Sequence, residues 1–188
     1  MKYVAFLRGI NVGGHKPLKM DALRTAFESL SFQDVTTVLA SGNVLFESRS
    51  AGTSTLAKKI ERRLATIFKH DIGVIVRTLA EIQSLADAKP FKRIKVTPRT
   101  GLYVTFLPEG LVINAGFDVY SGAITPKNAS KTRLPVFEIV RVSDGEVCSA
   151  VTRSADGQTT DFMAVIEKLF GRKVTTRNWN TIARILSG

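Results

Sequence analysis

Three short motifs hold the residues with the greatest chemical potential: Arg8-Gly9-Ile10-Asn11-Val12-Gly13-Gly14, Ser41-Gly42-Asn43 and Thr175-Thr176-Arg177-Asn178-Trp179-Asn180-Thr181. Each sets glycine or short polar side chains where a strand or helix is expected to end, and the first and third carry an arginine. Backbone N–H groups exposed at such ends, with a guanidinium beside them, suit phosphate or carboxylate. The expected ligand-binding set is therefore Arg8, Gly9, Asn11, Gly13, Gly14, Lys16, Ser41, Gly42, Asn43, Arg177, Asn178 and Asn180. No set of nucleophile, base and metal ligands accompanies them. Catalytic residues and cofactors are accordingly left unassigned, and the question of an enzyme stays open.

The glycine loop departs from the known phosphate fingerprints. Gly9 to Gly14 has the G-x-x-x-x-G spacing of a P-loop, yet His15-Lys16-Pro17 follows in place of Lys and a hydroxyl residue. Nothing there would hold Mg²⁺, and G-x-G-x-x-G is absent, which argues against a P-loop ATPase and a Rossmann dehydrogenase. Two readings survive: a loop whose Arg8, Asn11 and Lys16 wrap an anion, or a tight turn whose glycines supply positive φ. Ser41-Gly42-Asn43 divides in the same way between a hairpin turn and a donor–acceptor pair facing the loop. In the third motif, Thr175 and Thr176 are expected to cap a last helix and Trp179 to face inward. Arg177, just ahead of that helix, is well placed for a phosphate or carboxylate, or to staple the helix to an acid of the first module.

The two histidines, His15 and His70, are far apart in sequence. With one cysteine and no clustered carboxylates, no metal site is expected. Cys148 lies in an apolar strand pattern and reads as a small core residue. It cannot form an internal disulfide, which fits a reducing compartment.

The elements that must position these residues follow from periodicity. Residues 2–8 form an apolar strand, and Met20, Leu23, Phe27 and Leu30 recur at helical spacing. Val35–Leu39 and Val44–Glu47 are strands joined by the Ser41-Gly42-Asn43 hairpin. Leu56, Ile60, Leu64, Ile67 and Phe68 mark a second helix, and Ile72–Arg77 a fourth strand. The order β-α-β-β-α-β is the split, ferredoxin-like arrangement. It places Arg8 to Lys16, Ser41 to Asn43 and Lys69-His70-Asp71 on one rim of the sheet, with the amino end of the first helix.

The remainder reads as a second, smaller α+β module, giving expected domains of 1–88 and 89–188. Thr78-Leu79-Ala80-Glu81 is a capping box opening a short helix, and Lys89 to Pro98 is a connector. Leu102–Leu107 is a strand, and 108–135 is rich in Gly, Pro, Asn and Lys. Val136–Val142 and Glu146–Val151 flank an Asp144-Gly145 turn. Phe162, Val165, Ile166, Leu169 and Phe170 form a helical stripe stopped by Gly171, and a last helix starts near Asn178.

Charge is the second strong fact. The formal net charge is +11, from 12 basic and 8 acidic residues in 1–88 (net +4) and 15 and 8 in 89–188 (net +7). Lys89, Lys92, Arg93, Lys95 and Arg99 form an acid-free block, a candidate polyanion patch. Such a field favours phosphate-bearing partners and also serves solubility. The 188 residues, 44% hydrophobic, are enough for a sizeable core. No apolar stretch is long enough for a membrane span or a secretory segment, so the expected location is the cytoplasm, with no membrane partner.

Taken together, the RGINVGG stretch from Arg8, Ser41-Gly42-Asn43-Val44 and Thr176-Arg177-Asn178-Trp179-Asn180-Thr181 resemble the bacterial family called domain of unknown function sixteen-ninety-seven. Pro90-Phe91 and Phe106-Leu107-Pro108 are similar to the family as well. The resemblance spans nearly the whole chain and implies an α+β protein whose first part is ferredoxin-like. It implies no established activity. The chain differs after Leu107, where Lys127 to Arg133 is unusually basic.

Three function classes remain open. The first is a binding protein for a phosphate-bearing small molecule or nucleic acid, at a cleft formed by the glycine loop, the hairpin and the last helix. The second is an enzyme in which Arg8 or Arg177 neutralises developing charge, with His15 or His70 as base. The third is a protein-interaction module or homodimer using a sheet edge. Base stacking on the sheet would need exposed aromatics, and Tyr3, Phe6 and Phe46 read as core.

Overall fold

A computed structural model describes residues 1–11, 18–49, 52–111, 121–123, 136–154 and 161–187. The chain is α+β and divides into two compact units, Met1–Asp87 with Asn180–Gly188, and Ala88–Trp179. In the first unit, β1 (Lys2–Leu7), α1 (Met20–Glu28), β2 (Gln33–Val38), β3 (Asn43–Glu47), α2 (Thr53–Phe68) and β4 (Val74–Thr78) follow in the β-α-β-β-α-β order. The sheet order is β2-β3-β1-β4 with every pair antiparallel. Two split β-α-β units produce this interleaving.

Alternation along β1 decides the packing. Tyr3, Ala5 and Leu7 share a buried cluster with Leu23 and Phe27 of α1 and Leu56, Ile60 and Leu64 of α2. The centre of that cluster is aromatic: Phe46 stacks on Phe32 at 4.5 Å and on Tyr3 at 5.5 Å, and meets Phe27 edge-on at 5.6 Å. Truncating Phe27 or Phe46 to alanine removes packing worth about 3–5 kcal/mol. Val4 and Phe6, on the other face, are also fully buried. Next comes α3 (Leu79–Asp87), which lies against β1 and β4. Its capping box forms as expected: Glu81 Oε2 accepts from Thr78 N–H and Oγ1 at 2.7 Å, and Glu81 N–H donates to Thr78 Oγ1 at 3.1 Å.

The second unit is a five-stranded antiparallel sheet built from β5 (Thr100–Phe106), β6 (Ser121–Ala123), β7 (Val136–Val142), β8 (Glu146–Thr152) and β9 (Thr175–Asn178), in the order β6-β7-β8-β5-β9. Across it lies α4 (Phe162–Phe170), whose Ile166 and Phe170 join Phe137, Ile139, Val147 and Val151 in a second core. Asp161 caps α4 by accepting from Ala164 N–H at 3.2 Å. The chain ends in α5 (Trp179–Ser187).

One expectation changes here. Thr175 and Thr176 do not cap the last helix; they are residues of β9, paired with Phe106 and Thr105. Thr176 Oγ1 and Thr105 Oγ1 share a hydrogen bond of 2.8 Å, so the hydroxyls serve a cross-strand pair. Residues from Asn180 onward group with the first unit, so the second unit stops at Trp179. No helix among the described residues is long and apolar enough to cross a membrane.

Candidate functional site

The rim of the first sheet is built by backbone hydrogen bonds. At the end of β1, Leu7 N–H donates to Gly42 O and Arg8 N–H to Gly73 O, both at 2.8 Å. These bonds draw the residues after β1, the β2–β3 hairpin and the residues before β4 to one end of the sheet. Val74 N–H is held in turn by Glu61 Oε1 of α2 at 2.9 Å. The convergence expected for Arg8 and Ser41–Asn43 is present. Lys69, His70 and Asp71 precede the same strand end and are exposed.

Asn11 ties the glycine loop at its neck. Its Oδ1 accepts from Leu18 N–H at 2.7 Å, and its Nδ2 donates to Leu18 O at 3.2 Å and Ala40 O at 2.8 Å. One amide thereby joins Asn11 to Leu18, seven positions on, and to Ala40 beside the hairpin. Asn11 has φ 56°, a left-handed conformation that asparagine tolerates better than most residues. Leu18 lies just ahead of α1, whose amino end is flanked by Lys19 and has no side-chain cap. Val12, Gly13, Gly14, His15, Lys16 and Pro17 are outside the described residues, as are Lys127, Lys131 and Arg133.

The hairpin residues are committed to structure. Asn43 is fully buried, and its Nδ2 donates to Val38 O at 2.8 Å and Ser41 Oγ at 3.1 Å. Gly42 has φ 77°, and a Cβ there would lie 2.6 Å from Ile10 Cδ1 and 3.0 Å from Leu7 Cβ. A glycine is required both by the turn and by the close approach of the loop. Ser41 Oγ accepts from Asn43 and keeps its own proton to donate.

Arg8 differs from its neighbours. Its side chain is exposed and runs beside Gly73, where a Cβ would stand 3.4 Å from Arg8 Nε. Among the described residues its guanidinium has no hydrogen-bond or ion-pair partner. Gly9, next along, has φ 65° and open space around it.

Arg177 belongs to the second unit and sits inside β9, opposite Val104. It is 8% exposed and donates from Nη1 to Thr175 Oγ1 at 2.8 Å and to Thr176 O at 2.9 Å. Burial lowers its pKa to about 10, still well above neutrality, so the guanidinium stays charged. Asn178 ends β9 and is exposed. Asn180, in the first turn of α5, is also exposed. Trp179 packs edge-on against Phe91 at 5.0 Å.

Of the remaining candidates, Cys148 is fully buried and its pKa rises from 9.0 to about 12, chiefly through desolvation, then through the Glu146 charge, against a smaller opposing effect of Arg141. A thiol so placed is inert as a nucleophile near neutral pH. His70 Nδ1 lies 3.0 Å from Phe68 O at the end of α2. Among the described residues, no group of three or more His, Cys, Asp or Glu could hold a metal ion. Lys89, Lys92, Arg93, Lys95 and Arg99 are all exposed.

The roles of Asn11 and Gly42 were beyond sequence reading because their partners, Ala40 and Ile10, lie about thirty residues away in the chain. The only hint was the pairing of two glycine–asparagine motifs.

The family model described as protein of unknown function (DUF1697) matches residues 1–118, more than half of the chain, and the chain belongs to that family. No curated protein matches it. Among solved structures, the conserved bacterial protein SP0830 from Streptococcus pneumoniae is similar, with a TM-score of 0.67 over 99% of this chain and 97% of that one. At 20% identity the likeness concerns the fold alone.

Proposed function

We propose that this member of the DUF1697 family binds a small phosphate-bearing ligand at the rim of its first unit, with Arg8 as the charged contact. The observation that carries the reading is the exposed Arg8 guanidinium, which has no partner among the described residues although its backbone is fixed by Gly73. The planar guanidinium fork loses less freedom per hydrogen bond than a lysine would, and it can bind an anion through two parallel hydrogen bonds. The amino end of α1, where Lys19 makes no side-chain cap, adds backbone N–H groups and a partial positive charge. In this reading Gly9, Gly13, Gly14 and Lys16 let the loop wrap the anion, Ser41 donates its hydroxyl, and Asn11, Gly42 and Asn43 hold the frame. Asp71 is an exposed acid beside β4 and limits how much negative charge the ligand can carry there.

Thermal shift with inorganic phosphate, nucleotides and sugar phosphates tests this. A ligand at a hundredfold excess over its Kd adds about 2.7 kcal/mol, or roughly 5–10 °C for a chain of this size. Arg8→Ala should abolish the shift while leaving the ligand-free melting temperature within about 2 °C. The reading fails if no phosphate compound raises the wild-type melting temperature, or if Arg8→Ala retains the full shift. A shift given only by oligonucleotides, with Arg8→Ala unaffected, would place the anion site elsewhere.

A further inference from the structure

Residues 89–99 of the second unit carry their cations over a cavity. Phe91 is 8% exposed and anchored on Trp179, Lys92 N–H and Ile94 N–H close turns onto Lys89 O and Phe91 O, and Thr97 and Thr100 bond each other at both backbone and side chain. Arg99 O accepts from Arg153 N–H at 3.0 Å, fastening the segment to the end of β8. Beneath it, Arg93, Ile94 and Lys95 face Glu138, Val140, Ala150 and Thr152 of β7 and β8 across a cavity of about 430 Å³. Arg93 and Lys95 have no hydrogen-bond or ion-pair partner among the described residues.

We infer that this groove is a docking surface for the phosphate backbone of nucleic acid, engaged by Lys92, Arg93 and Lys95. Charge complementarity is the first argument: the segment 88–99 carries five cations and no acid. Polyphosphate binding draws on such arrays through counterion release. The second argument concerns the floor. Both neighbours of β7 and of β8 are already paired, β6-β7-β8-β5, so an acidic peptide cannot add as a strand. Recognition falls to side chains, and a backbone of regularly spaced phosphates needs only fixed cations. Ile94, Val140 and Ala150 offer no aromatic face, so bases do not stack and the binding is indifferent to sequence. Glu138 opposes the phosphates and holds the affinity down.

Fluorescence anisotropy of the full chain with labelled oligo-dT and with a duplex of equal length, over a range of salt, provides the test. Expected is binding to both, weakening steeply with salt. The variant Lys92→Gln/Arg93→Gln/Lys95→Gln should bind at least about tenfold more weakly and lower the slope of log K against log salt by about 2 on single strands. Glu138→Gln should bind severalfold more tightly, and it keeps the inference testable if the triple variant is poorly folded. Arg8→Ala should bind as wild type, which separates this surface from the rim. The inference is overturned if neither oligonucleotide binds at low salt, if Glu138→Gln or the triple variant leaves affinity unchanged, or if polyglutamate binds as tightly as DNA.

Discussion

The rim of the first sheet and the interior of the second use polar side chains in opposite ways. At the rim, Asn11 and Asn43 satisfy backbone groups and build a platform from which Arg8 projects into solvent. In the second sheet, Arg177, Thr105, Ser149 and Cys148 are all buried, and each must be satisfied inside or remain at a cost. Both arginines belong to short polar motifs near strand ends, yet one is exposed and the other is enclosed by its own strand. Depth in the sheet, which the local motif does not encode, decides the duty of each.

The sharpest way to break that contrast is to remove each arginine in turn. Arg177→Ala leaves Thr175 Oγ1 and Thr176 O without their donor and opens a cavity, so a loss of about 3 kcal/mol is expected in urea unfolding. Arg177→Met, which fills the space without a charge to desolvate, should lose about 1–2 kcal/mol less. Arg8→Ala should change stability by under about 0.5 kcal/mol. Equal losses for the two alanine variants would erase the distinction between exposed and enclosed guanidinium.

Next in size is Asn11→Ala, which removes three hydrogen bonds and places alanine at φ 56°. About 2 kcal/mol should be lost. Asn11→Asp keeps the acceptor for Leu18 N–H but puts an acceptor against Ala40 O, and should be no better than alanine. If Asn11→Ala unfolds like wild type, the rim does not depend on its neck.

How much of this was legible beforehand depends on how local each signal is. The β-α-β-β-α-β order, the Thr78–Glu81 box and the core position of Cys148 are written in periodicity and short spacings, and the structure carries all three. Thr175 to Asn178 misled because two threonines ahead of a helix satisfy the chemistry of a cap as well as that of a strand; only the distant partner, β5, selects between them. The three residues of β6 lie in a glycine-rich stretch with no alternation to read. The rim's convergence followed from topology, whereas its hydrogen-bond donors and acceptors were set by contacts that no local pattern announces.

The buried thiol gives a pH test of the second sheet. The folded state holds the Cys148 proton up to about pH 12, whereas an unfolded thiol releases it near 9.0, so stability should fall as pH rises above 9.0. Arg177 acts in the opposite sense around and above pH 10, where its folded form loses a proton that the unfolded chain keeps. Between about pH 9 and 10 the thiol contribution is therefore the larger of the two and should cost about 1 kcal/mol, partly offset by Arg177. Cys148→Ala should flatten urea midpoints over that interval; an unchanged slope would show that another group titrates there.

The smallest effect distinguishes two hydroxyls on one face of the second sheet. Ser149 pairs with Tyr103 and Ile139 across the ladder, is fully buried, and its Oγ has no hydrogen-bond partner among the described residues. Thr105 is equally buried, but its Oγ1 is shared with Thr176. Deleting an unpaired hydroxyl relieves a desolvation cost, while deleting a paired one strands its neighbour. Ser149→Ala should thus gain about 1 kcal/mol, or roughly 2–4 °C in melting temperature, and Thr105→Val should lose a similar amount. The opposite sign of the two shifts is the expected outcome; a loss in both would mean that Ser149 binds an enclosed water and that the second sheet satisfies its polar groups as fully as the rim does.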